Sequence, residues 1–126
     1  MTENFVPMAA YCNVKLANVL FTHALAQRLA NEGIVVHAMH PGAVDTNFIA
    51  RSDEVTQKYM RARPLLSAED AADTLIWLAT AAEPGTHTGG YFPQRKRIPT
   101  SAAANDAAAA QRLWVESEKL AARVLG

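Results

Sequence analysis

Cysteine occurs once in the 126 residues, at Cys12, so no internal disulfide can brace this chain. No apolar run approaches the roughly 20 residues needed to span a bilayer. The opening stretch Met1–Met8 lacks both the basic start and the apolar core of a secretory signal. A cytoplasmic setting is therefore expected, with no membrane segment in this chain. Surplus charge of one sign is also missing, because 12 Lys and Arg balance 12 Asp and Glu. Nucleic-acid binders gain affinity by neutralising phosphates with excess cations, so no nucleic-acid partner is expected. Glycine is sparse, with six residues and a single adjacent pair, Gly89-Gly90, which reads as a turn before a strand. No glycine cluster offers backbone amides to a pyrophosphate. At this length a second domain is excluded.

What is present is apolar and helix-forming. Alanine is the outlier at 25 residues, seven of them between Ala102 and Ala110. From Ala9 to Asn31 neither Pro nor Gly intervenes and Gly33 follows, which predicts one long helix. It carries a polar stripe of Tyr11, Lys15, Asn18 and Thr22 and is otherwise apolar, so burial on more than one side is expected. Ile34–Met39 reads as a buried strand closed by Pro41 and Gly42, and Thr88–Phe92 as a second one. Between them, residues 45–63 read as a loop with a short helix around Val55–Met60. Ser67 and Asp70 form a capping box for a helix ending near Glu83, with Ala72, Leu75, Ile76, Ala79 and Ala82 on its apolar face. A last helix, about Asn105 to Leu125, places Ala110, Leu113, Trp114, Leu120, Ala121 and Val124 on one side. This order is α/β and helix-rich, and implies a parallel sheet with helices packed on it. Two strands are too few for such a sheet, so the chain reads as half of a domain.

Tyr11 and Lys15 lie four residues apart, so phenol and ammonium project from one helical face. A neighbouring cation stabilises a phenolate, which lets a tyrosine exchange a proton with a carbonyl or alcohol oxygen near neutral pH. The spacing alone is common; its setting is less so. Thirty residues after Tyr11, at a strand C-terminus where open α/β sheets bind ligands, stands Pro41-Gly42-Ala43-Val44-Asp45-Thr46. His37 and His40 are three apart on a strand and point to opposite faces, so no metal site is expected. Arg95-Lys96-Arg97 reads as a solvated basic loop, with phosphate or cofactor contact as the lesser reading. Cys12 has no evident activating partner and reads as a packing residue.

The helix-borne Tyr11 and Lys15 followed by a Pro-Gly turn at a strand end resemble the C-terminal half of the short-chain dehydrogenase/reductases. Tyr11-Cys12, Lys15 through Thr22, His40-Pro41-Gly42, Gly90-Tyr91-Phe92 and Leu113 through Glu118 resemble their retinol dehydrogenase-like branch. The resemblance implies the C-terminal part of a doubly wound Rossmann fold over residues 1–126. It implies an NAD(P)-dependent oxidoreductase moving hydride between nicotinamide and a small or lipophilic alcohol or carbonyl. Tyr11 would be the catalytic acid/base, and Lys15 would hold the nicotinamide ribose and lower the tyrosine pKa. Pro41, Gly42, Val44 and Thr46 would line the nicotinamide side of NAD or NADP, and Phe48, Ile49, Tyr59 and Met60 would contact substrate. The family's catalytic Ser and supporting Asn would fall before Met1, as would its Gly-rich turn, so a truncated chain inactive without its N-terminal half is expected. Val14 stands where members commonly have Ser. The rival reading is a non-catalytic interaction module that self-associates or pairs with a complete homologue through its uncovered apolar faces.

Overall fold

The computed structural model describes residues 5–126; the first four residues of the Met1–Met8 stretch lie outside the described residues. Helix α1 (Pro7–Leu29) begins two residues before the predicted start. Pro7 sits in its first turn, where a missing N–H costs nothing and the fixed φ suits the helix. Gly33 takes φ 69° in the turn that follows. The expected burial on several sides is found only in the C-terminal part of α1, where Leu20, Thr22, Ala24 and Ala26 are buried. Tyr11, Val14 and Lys15 are exposed. Thr22, placed on the polar stripe by its chemistry, is buried and donates its hydroxyl proton to the Asn18 carbonyl at 2.9 Å.

Strands β1 (Ala38–Met39) and β2 (Tyr91–Phe92) pair in parallel, Ala38 opposite Tyr91 and Met39 opposite Phe92. Both are shorter than predicted, because side chains take the amides that a longer ladder would use. The Val36 amide donates to the Thr88 hydroxyl at 2.9 Å, and the Gly90 amide to His37 Nδ1 at 3.0 Å. Ile34 and Val35, predicted as buried strand, are exposed.

Residues 45–63 hold more structure than the expected loop with one helix: α2 (Asn47–Ala50) and α3 (Glu54–Arg61). Asp53 caps α3 by accepting from the Thr56 amide at 2.9 Å and from its hydroxyl at 2.7 Å. Those bonds hold the Asp53 carboxyl below its usual range. Helix α4 (Ala68–Thr80) starts on the predicted cap, with Ser67 Oγ accepting from the Asp70 amide at 3.0 Å. It stops at Thr80 rather than near Glu83, and a 3₁₀ turn over Glu83–Thr86 follows. Its predicted core face is open, with Leu75 54% and Ile76 61% exposed. Thr74 is buried instead, and Trp77 meets Phe92 edge-on at 5.7 Å between ring centroids.

Helix α5 (Ala107–Leu125), capped by Asp106, follows a 3₁₀ turn at Ala103–Asn105. Its first half packs on α1: Ala110 is buried with Leu20 and Ala24, flanked by Leu113 and Trp114. Phe21 stacks on Trp114 at 5.5 Å, and the Arg28 guanidinium lies over the same indole at 4.1 Å. The predicted face does not stay packed, because Leu120, Val124 and the neighbouring Leu125 are exposed. The sheet thus separates two clusters. Phe92 meets His37, His87 and Trp77 on the α4 side. Tyr91 lies with Lys15, Leu16 and Val19 on the α1 side.

Candidate active site

Helical spacing sets the first two groups. The Lys15 ammonium lies 5.5 Å from the centre of the Tyr11 ring, on the exposed N-terminal part of α1. Tyr11 is 46% exposed, so its phenol is open to a ligand from solvent.

The chain brings further groups to this end of the helix by way of β1. Beyond Met39, His40 donates its amide to the Phe92 carbonyl at 3.0 Å, and Pro41-Gly42 then turns the chain away from the strand. Gly42 has φ 81°, a conformation that disfavours any Cβ. An added Cβ would also sit 3.2 Å from Leu66 Cδ1. Val44 forms a parallel bridge with Leu66, with Leu66 N donating to Ala43 O at 2.8 Å and Asp45 N to Leu66 O at 3.0 Å. The excursion carrying α2 and α3 is thereby pinned at both ends. Leu66 carried no motif; its only sequence signal is its place just before the helix cap Ser67.

Within the excursion, the predicted substrate contacts fall in different surroundings. Phe48, exposed on α2, places its ring 6.1 Å from the Tyr11 ring, so the segment leaving β1 returns over the tyrosine. Ile49, its neighbour, is 1% exposed and anchors α2 rather than lining an opening. Tyr59 is exposed on α3 beneath the Arg63 guanidinium, which also donates to its hydroxyl; Met60 is half-buried. Thr46 occupies the cap position of α2 without bonding it, which leaves its hydroxyl unused there.

The Gly89-Gly90 turn holds no anion with its backbone. Gly89 N donates to Val36 O at 2.7 Å and Gly90 N to His37 Nδ1 at 3.0 Å, so both amides are committed. His37 then donates from Nε2 to the Pro84 carbonyl at 2.8 Å, which commits both of its nitrogens to structure. Cys12 is exposed, not packed as expected.

A family model described as "Enoyl-(Acyl carrier protein) reductase" matches residues 2–90, which include Tyr11, Lys15 and the Pro-Gly turn. The chain belongs to the short-chain dehydrogenase/reductase family. Its helix-rich structure around a small parallel sheet is consistent with part of that family's Rossmann-like fold. Human retinol dehydrogenase 12 is 37% identical over 106 residues, 83% of this chain and 34% of that protein. Human retinol dehydrogenase 13 is 35% identical over 127 residues, 94% of this chain and 38% of that protein. The WW domain-containing oxidoreductase of Drosophila melanogaster is 37% identical over 125 residues, 98% of this chain and 31% of that protein. The chain spans about a third of the length of the curated relatives it matches. No solved structure matches it. Among the described residues, no helix is long and apolar enough to cross a membrane.

Proposed function

We propose that this chain supplies the proton-transfer half of a nicotinamide-dependent oxidoreductase site acting on a small or lipophilic alcohol or carbonyl. The observation that carries this reading is the placement of Lys15 beside Tyr11, with Phe48 returning from the strand end onto the same tyrosine. NAD or NADP, when bound, supplies or accepts the hydride. The residues present suit its nicotinamide end: Lys15 for the ribose hydroxyls, and Pro41, Gly42, Val44 and Thr46 along the turn at the strand end. In the reductive direction the Tyr11 hydroxyl gives its proton to the carbonyl oxygen; in the oxidative direction it accepts the proton of the alcohol. Positive charge on Lys15 favours the phenolate left behind. Phe48, Tyr59 and Met60 offer apolar surface to the substrate, and the buried Ile49 holds α2 in place.

In this proposal residues 1–126 form the C-terminal portion of one Rossmann-type domain, and phosphate-binding amides come from an N-terminal portion outside these residues. Joining the chain to the N-terminal portion of a retinol dehydrogenase-like relative tests the reading. NAD(P)H-dependent carbonyl reduction that disappears with Tyr11→Phe is expected; activity retained in that variant overturns it.

The exposed apolar residues Leu75, Ile76, Ile34 and Val35 favour a second reading, in which the chain is a non-catalytic module that docks on a complete homologue. A joined protein that binds no nicotinamide nucleotide, together with a stable complex between this chain and a homologue, would select it.

A further inference from the structure

The basic triplet at Arg95–Arg97 is divided by the structure. Arg95 turns to α4 and grips Asp73 through two hydrogen bonds, 2.8 Å from Nε and 2.5 Å from Nη2. Arg97 lies on the opposite side, where among the described residues it has no ion pair. It borders an open groove of about 440 Å³ together with His23, Tyr91, Ile98 and Pro99. Two neighbouring hollows share its lining: Tyr91 and Pro99 also border one of about 290 Å³ with Lys15, Leu16 and Val19, and His23 and Gly89 one of about 280 Å³ with Ala26, Asp106 and Ala110.

The strap over this groove, residues 97–106, is held along its length. Ile98 N donates to Tyr91 O at 3.0 Å, Asn105 Nδ2 to Thr100 O at 3.1 Å, and His23 Nδ1 to Ala104 O at 2.8 Å. The result is an open, partly apolar groove with the Arg97 guanidinium at its edge, Lys15 in the hollow on one side and Asp106 in the hollow on the other. A guanidinium matches a carboxylate in shape and charge, and Ile98 in the groove, with Leu16 and Val19 in the neighbouring hollow, offers apolar surface to a chain attached to it.

We propose that this groove binds an acidic amphiphile, an apolar chain ending in a carboxylate that Arg97 receives. The site borders the Tyr11 pair through Lys15, does not require the proposed oxidoreductase reaction, and uses only residues of this chain.

The test labels the full chain with a photoreactive diazirine dodecanoate and maps the adducts by mass spectrometry, a readout that serves in any association state. Adducts are expected within residues 15–26 and 97–106, with dodecanoate competing about tenfold better than dodecanol, the scale of one charge-assisted contact. Arg97→Gln should lower labelling about tenfold and abolish that preference, while Lys96→Gln leaves both unchanged. Circular dichroism should show both variants folded like the parent, since each replaces an exposed side chain. Adducts centred on Leu75 and Ile76, equal competition by dodecanol, or undiminished labelling of Arg97→Gln would each overturn the proposal.

Discussion

In the proposed site the phenol of Tyr11 needs only its oxygen to move a proton, and that is what Tyr11→Phe deletes. In the joined protein the substitution should lower turnover by about 10²- to 10⁴-fold with an unchanged melting temperature. Lys15→Met should both slow turnover and raise KM for the nucleotide, since in the proposed site the ammonium serves tyrosine and ribose together; steady-state kinetics separates the two effects. Gly90 makes a different demand. A Cβ there would lie 2.6 Å from Phe92 Cε2 and 2.9 Å from His37 Nδ1. Gly90→Ala should therefore destabilise the fold by about 1–3 kcal/mol through overpacking, measured by urea titration. Asp73 gives a pH signature. Hydrogen bonds from Arg95, and then its charge, hold the Asp73 carboxyl below its usual value of 3.8. A carboxyl depressed in the folded state adds stability above its unfolded value and loses it as pH falls through the folded one. The stability difference between the parent and Asp73→Asn should thus be constant near neutrality, begin to shrink as pH approaches 3.8 and vanish only below the depressed folded value. Because the pair is exposed, salt should shrink it.

At the scale of elements, the signals that were legible in the sequence are the local ones. Ser67 and Asp70 announce the start of α4 because a hydroxyl three residues before a free amide reaches it in any fold, and the bond is present. Ser67→Ala should cost about 1 kcal/mol of stability, read from the thermal midpoint. The Tyr11–Lys15 spacing transferred equally well, since helix geometry alone brings the two together. Periodicity failed where the outcome depends on a second surface. Leu75 and Ile76 do form one apolar face, but sequence says which face is apolar and not whether anything covers it. Leu120 and Val124 repeat the lesson on α5. The division of Arg95 from Arg97 was out of reach for the same reason, because an acidic partner 22 positions away decides it. Strand ends were misjudged because Thr88 and His37 compete for backbone amides, a choice β-propensity does not record.

For the molecule as a whole, uncovered apolar surface and a lone strand pair should govern behaviour in solution. The edge of β1 away from β2 has no strand partner among the described residues, and such an edge invites pairing with another chain. The isolated chain should therefore be oligomeric, aggregation-prone or partly folded by light scattering and near-UV circular dichroism. A monodisperse monomer with fixed Trp77 and Trp114 signals would show that it stands alone. With both Gly89 and Gly90 amides occupied, calorimetry should detect little or no binding of NAD(H) or NADP(H) to the isolated chain.

The bridge between Val44 and Leu66 makes the intervening stretch a replaceable cassette. Its two mouths are stitched to each other, so the scaffold senses where the stretch leaves and re-enters but hardly its length, and doubling such a loop costs only about 0.6 kcal/mol in closure entropy. Under the proposed function, ligand preference would diversify in this stretch while Tyr11 and Lys15 on α1 stay fixed, and grafting a relative's residues between these mouths should carry that relative's preference with them.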